Sequence, residues 1–224
     1  MPMMQLKVVA VTVIVLVGVV ACGSDARVAS VQAASDVPVG TQALMVAFSD
    51  TIVEFTVLED RRVPPVGGFP ENGFSYEIRR DLIAEVTTVL YANADQKGLP
   101  AVGDEFTFRH WGWWVKDGTG DPQMMIEDGQ RVDVGQSYFA AFTNGLTNND
   151  NRLNLATSAS LYSSQDGTAM VLGRHDAYPD FANKTAETLQ AEFEITAARS
   201  DVVAFIGLTE AERQLRPIDS LRDG

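Results

Sequence analysis

The sequence predicts a mainly β, α+β domain, an antiparallel barrel or sandwich closed by a C-terminal helix. Residues 51–58 alternate, with Val53, Phe55 and Val57 on one face and Glu54 and Thr56 on the other, the period of two that a half-buried strand requires. Aromatic or apolar runs of strand length recur at 105–115 and 138–142, set off by turn chemistry such as Asp117-Gly118-Thr119-Gly120-Asp121-Pro122. Clear helical periodicity is confined to 185–199, where Ala186, Leu189, Phe193, Thr196 and Ala197 share a face and Glu187, Gln190 and Glu194 lie on others.

The chain opens differently. Lys7 precedes an apolar run over residues 8–20, shorter than the ~20 residues that span a bilayer core and of the length of a secretory h-region. Residues 1–21 are therefore expected to be a signal peptide. The run ends in Val19-Val20-Ala21-Cys22, which resembles the lipobox of bacterial lipoproteins. The resemblance implies that the Cys22 thiol receives a diacylglycerol and that cleavage makes Cys22 the first mature residue, anchored in the cell membrane on its extracytoplasmic side. Two or more acyl chains hold a protein firmly where one does not. An ordinary export signal cut near Ala34 is the competing reading. Gly23 lacks the Asp that retains such lipoproteins in an inner membrane, so inner and outer membranes both stay open.

Cys22 is the single cysteine, so no disulfide or thiolate chemistry is available to the folded part. Removing residues 1–21 takes one Lys and no acid, moving the formal charge from −13 to −14. So acidic a chain argues against nucleic acid and anionic head groups as partners. Residues 22–38, small and polar, are expected to be a flexible tether, and 39–224 one globular domain acting as a monomer.

Within that domain Thr41 is placed to cap a short helical turn carrying Leu44, Met45 and Phe48, broken at Ser49-Asp50. After the strand at 51–58, residues 61–73 contain Pro64-Pro65, Gly67-Gly68 and Pro70 and are expected to loop. Residues 76–91 carry Leu82, Ile83, Val86, Val89 and Leu90 at helical spacing, but the β-branched cluster Ile83, Val86, Thr87, Thr88 and Val89 favours one long strand. Residues 124–127 and 130–134 read as a hairpin about Asp128-Gly129, and 153–163 with 168–172 as another about Asp166-Gly167. Beyond the helix, 201–208 is apolar and fits strand or helix, and Thr209 with Glu212 has capping-box form.

The series Asp50-Thr-Ile-Val-Glu-Phe, Glu85-Val-Thr-Thr-Val-Leu, Val102-Gly-Asp-Glu-Phe-Thr-Phe and Val134-Gly-Gln-Ser-Tyr-Phe is similar to small exported bacterial domains with an OB-like barrel. The resemblance lies in the order of elements and implies five barrel strands. It does not name an activity.

No catalytic residue, cofactor or metal is assigned by motif. Ser137 sits in a turn-like Gly135-Gln136-Ser137 without the second Gly of a nucleophile elbow. His110 and His175, the latter followed by Asp176, are the only histidines. They would make a two-His-one-carboxylate site only if the fold joined them. Asp117 to Asp121 and Asn148 to Asn151 offer oxygen ligands without the EF-hand pattern. The reading is thus an envelope binding or interaction module for an envelope protein or glycan. An extracytoplasmic hydrolase using His110 or His175 with carboxylates is the alternative.

The surface legible in sequence is 105–115. In a regular strand Phe106, Phe108, His110, Gly112 and Trp114 share the core face, while Arg109, Trp111 and Trp113 share the other. The outer face would be covered by the Leu189-Phe193 side of the helix, or be exposed as an aromatic platform beside Arg109 suited to sugar rings or partner side chains. A bulge at Gly112 would invert the parity of Trp113 and Trp114. The candidate binding residues are Arg109, Trp111 and Trp113.

Overall fold

In the computed structural model, the described residues are 28–31, 41–65, 75–116, 122–127, 131–144, 152–156, 160–172, 181–209, 212–213, 215–218 and 221. The expected signal segment at 1–21, Cys22, His175 with Asp176, residues 117–121, Asp128-Gly129 and residues 148–151 lie outside them.

The architecture is mainly β, a mixed sheet with three helices. In chain order the elements are β1 (Val28–Val31), α1 (Gln42–Phe48), β2 (Thr51–Val63), β3 (Tyr76–Ala92), β4 (Glu105–Val115), β5 (Gln123–Glu127), β6 (Ser137–Thr143), β7 (Arg152–Leu155), β8 (Tyr162–Gln165), β9 (Thr168–Val171), α2 (Ala186–Ala197) and α3 (Ser200–Ile206). β2, β3 and β4 form an antiparallel meander, β4 pairs in parallel with β7, and β7 and β2 both pair antiparallel with β6. These pairings return to β2, giving the sheet a barrel-like core. β8 and β9 extend it beyond β6, and β5 and β1 beyond β4.

Two hydrophobic cores lie on opposite sides of β2 and β6. Inside the returning strands, Phe55 packs against Phe106, Phe108 and Phe142 at ring-centroid distances of 5.6, 5.3 and 5.7 Å, all edge-on. Such pairs each contribute ~0.5–1.5 kcal/mol beyond their area burial. The second core joins Ile52, Leu90, Tyr91, Phe139 and Ala141 to the apolar sides of all three helices. Alternate residues of β6 therefore enter different cores, which is why residues 138–142 are apolar without alternation.

Most expected elements form. Thr41 caps α1, its Oγ1 accepting the Leu44 amide at 3.2 Å. The segment poised between helix and strand becomes β3, because β2 and β4 flank it along its length. Asp166 and Gly167, at φ of 51° and 72°, supply the left-handed pair that a two-residue turn between β8 and β9 needs. Thr209 and Glu212 cap reciprocally, the Thr209 amide donating to Glu212 Oε2 at 2.8 Å and the Glu212 amide to Thr209 Oγ1 at 3.4 Å. Residues 201–208 resolve to helix, as α3.

Four expectations are corrected. β2 continues through Arg61, Arg62 and Val63, paired with Asp81, Arg80 and Arg79, so the loop starts only at Pro64. Residues 131–134 form no strand, and β5 pairs with β4 and β1 instead. Four residues of the expected tether form β1, parallel to β5 with Val28 opposite Met124. The Leu189-Phe193 side of α2 does not cover β4; it lies in the second core with Leu90, Tyr91 and Phe181.

The C-terminal segment is fastened by one buried ion pair. Arg213 Nη2 donates to Asp50 Oδ1 at 2.5 Å and its Nε to the Leu208 carbonyl at 2.9 Å, with both side chains almost wholly buried. Removing one partner of such a pair strands the other charge and costs about 3–5 kcal/mol. Arg213→Ala should lower unfolding free energy by that amount in urea denaturation at neutral pH. A loss under about 1 kcal/mol would class the pair with surface salt bridges.

Candidate functional site

β4 decides which side chains meet solvent. Residues 106, 108 and 110 are buried and their neighbours are not, but after Gly112 the parity inverts, leaving Trp113 and Val115 buried and Trp114 exposed. The register shows the cause. Ile78 faces Trp113 while Arg80 faces His110, so three steps on β4 match two on β3, a bulge. Gly112 permits it, since a Cβ there would lie 1.9 Å from the Ile78 carbonyl oxygen.

The bulge divides the three candidate residues. Trp113 is 8% exposed and packs with Ile78 and Val115, so it is no part of an outer platform. Arg109 and Trp111 stay half-buried. Trp114, 38% exposed and opposite Glu77, takes the outward place expected of Trp113.

On the inner side a charged cluster built on the buried Arg80 closes the end of the aromatic core. Arg80 meets the Asp60 carboxylate through Nε and Nη2, the shortest bond being 2.8 Å, and donates to the Val132 carbonyl at 2.9 Å. The Arg62 guanidinium sits 4.2 Å from the Trp113 ring centroid, a cation–π contact. His110 is buried beside Arg80, and neither ring nitrogen has a hydrogen-bond partner among the described residues. Burial, reinforced by the Arg80 charge, pushes its pKa down to about 4. The imidazole is thus neutral near pH 7, enclosed and facing a cation, a poor setting for a general base. No group of three His, Asp, Glu or Cys among the described residues could hold a metal ion.

On the outer side two arginines converge on one carboxylate. Arg109 Nε donates to Asp81 Oδ1 at 3.1 Å and Arg152 Nη2 to Asp81 Oδ2 at 2.5 Å. The Asp81 side chain is 11% exposed, whereas those of Arg109 and Arg152 are 37% and 32% exposed. β3 supplies the acid, β4 one arginine and β7 the other; the β4·β7 pairing that sets Thr107 opposite Arg152 brings them together. Arg152 also lines a cleft of about 330 Å³ with Lys97, Asn144, Asp104, Glu105 and Phe106. No family model, curated relative or solved structure matches the chain.

Sequence reading missed Asp81, Arg152 and Arg80 because their partners are remote in the chain. The one available signal was a charged triplet, Arg79-Arg80-Asp81, inside an otherwise apolar strand.

Gly112→Ala should cost about 3 kcal/mol, the upper part of the range for overpacking, because the close neighbour is backbone and cannot rotate away. Urea denaturation measures it, and a red shift in tryptophan emission should accompany it as Trp113 is displaced.

His110 also sets a pH dependence. Its folded pKa lies below the unfolded 6.5, so the unfolded chain binds more protons between the two values and stability rises with pH there. The contribution is complete above about pH 6.5 and lost as pH falls toward about 4, about 3 kcal/mol at 1.36 per unit. His110→Phe should remove that slope. Chemical denaturation of both proteins at several pH values across the window should show their stabilities diverging by that amount as pH rises.

Proposed function

We propose that this chain is a lipid-anchored protein of the bacterial cell envelope, whose folded part is an OB-like barrel serving as a binding module. The barrel reading is supported by the order β2, β3, β4, β7, β6, which returns to β2 with its one parallel contact between β4 and β7. Five strands close a barrel in such an arrangement, as in the OB fold, where the second and third strands present the ligand face. Here those strands are β3 and β4, and their outer side holds Arg109, Trp111, Trp114 and Asp81.

The observation that carries the binding reading is this face. Its arginines and tryptophans are left partly open while the helices pack elsewhere, on the second core. Arginine and aromatic residues concentrate binding energy where they meet a partner, and a shallow charged face without an enclosed acid–base pair suits recognition better than catalysis. The partner is an envelope glycan or protein met outside the cytoplasm. The anchor reading rests on Val19-Val20-Ala21-Cys22 and its lone thiol, and the module acts as a monomer.

Growing cells with a labelled fatty acid tests the anchor. The natural protein should incorporate label and fractionate with membranes, while Cys22→Ser should lose both and retain residues 1–21. Normal labelling of the Ser variant would end this reading, because no other thiol can accept the lipid.

A further inference from the structure

Two arginines on one carboxylate are more than that carboxylate needs. One guanidinium neutralises Asp81, and the second leaves that cluster with one positive charge beside Lys97, Asp104 and Glu105 of the adjoining cleft. Among the described residues each guanidinium meets Asp81 through a single nitrogen, so that contact engages only part of its five-donor fork. Both forks reach the same carboxylate and are half-open to solvent. Asp81 acts as a pivot: buried itself, it fixes the direction of both forks and reduces the ordering cost of binding.

The surroundings narrow the chemistry of that group. Trp111 follows Arg109 by two residues on β4, on the same side of the strand, and is half-buried. The cleft reached by Arg152 is polar, with Lys97, Asn144, Asp104 and Glu105 around it and Phe106 at its wall. Within it, Asp104 Oδ2 already accepts the Ala101 amide and the Asn144 amide donates to the Lys97 carbonyl. A volume of about 330 Å³ is at the small end of ligand sites and fits a sugar residue or two. A ligand with a carboxylate for the arginines, hydroxyls for the cleft and a ring for the tryptophan meets all three features. Arginine recognises carboxylate through paired hydrogen bonds.

We propose that the Arg109–Asp81–Arg152 cluster and the adjoining cleft bind a carboxylated oligosaccharide, the carboxylate bridging the two guanidinium groups. The proposal rests on the binding-module reading of the β3–β4 face and is independent of the lipid anchor.

The test is calorimetric titration of the full chain in detergent with trigalacturonate and with its fully methyl-esterified form, which keeps the rings and hydroxyls and removes the charge. The acid form should bind at least about tenfold more tightly and weaken as salt is raised. Arg109→Gln and Arg152→Gln should each lower affinity about tenfold, while Arg199→Gln, which breaks the exposed pair with Asp201, should leave it unchanged. Equal binding of acid and ester, no binding of either, or arginine variants that bind like the natural chain would overturn the proposal. Because the ester comparison needs no substitution, it decides the matter even if a variant unfolds. No sugar binding with normal Cys22 labelling would remove the ligand class and leave the anchored module; sugar binding without labelling would do the reverse.

Discussion

The Asp50–Arg213 pair is the contact on which the assembly of sheet and helices depends. Asp50 lies at the junction of α1 and β2, and its backbone amide donates to the Phe142 carbonyl while its own carbonyl accepts the Asn93 amide. Its carboxylate takes the Asn144 amide on one oxygen and Arg213 on the other. One residue thereby ties the start of β2, the end of β3, the end of β6 and the C-terminal segment. The ionised carboxylate is tolerable in so dry a place only because both oxygens are occupied. Tyr91 registers the same dryness: burial pushes its hydroxyl up to about 12, and the opposing pull of Arg213 does not cancel it.

Around this clamp the molecule divides by the two faces of β2 and β6. One face builds the aromatic core inside the returning strands, and the other receives the helices. Because α1, α2 and α3 are all committed to the second core, which takes in only the Leu90 and Tyr91 end of β3, none of them joins Arg109 and Trp111 in a core cluster among the described residues. Beyond the ring, β2, β3 and β4 extend as an arm whose inner side is lined by Asp60, Arg62, Arg80, His110 and Trp113. That arm has little aliphatic material, and cation–π and ion-pair contacts substitute for it.

The two sides of β4 differ in how deeply their side chains are packed. Inward, Phe106, Phe108, His110 and Trp113 are packed, and their neighbours fix ring positions and protonation state. Outward, Arg109 is tied to Asp81 and Trp111 is half-buried. The bulge at Gly112 makes this division sharp, for without it the arm would place Trp113 outward and Trp114 inward.

By itself the sequence determined the mainly β class, the strands at 51–58, 76–91 and 105–115 and the helix at 185–199, because alternation, cap chemistry and Asp-Gly turns act over a few residues. Thr41, Asp166-Gly167 and the Thr209 with Glu212 box were all legible for that reason. It also marked the aromatic run of β4 as the element to watch, and Arg109 and Trp111 as outward-facing. Only the tertiary structure decided that Trp113 is buried and Trp114 is not, since one inserted residue inverts every later side chain, and its position depends on how Gly112 meets the Ile78 carbonyl across the strand pair. The Arg152 to Asp81 contact spans 71 residues and the Arg213 to Asp50 contact 163. No local pattern encodes such meetings, because they follow from the closure of strands and the docking of a chain end.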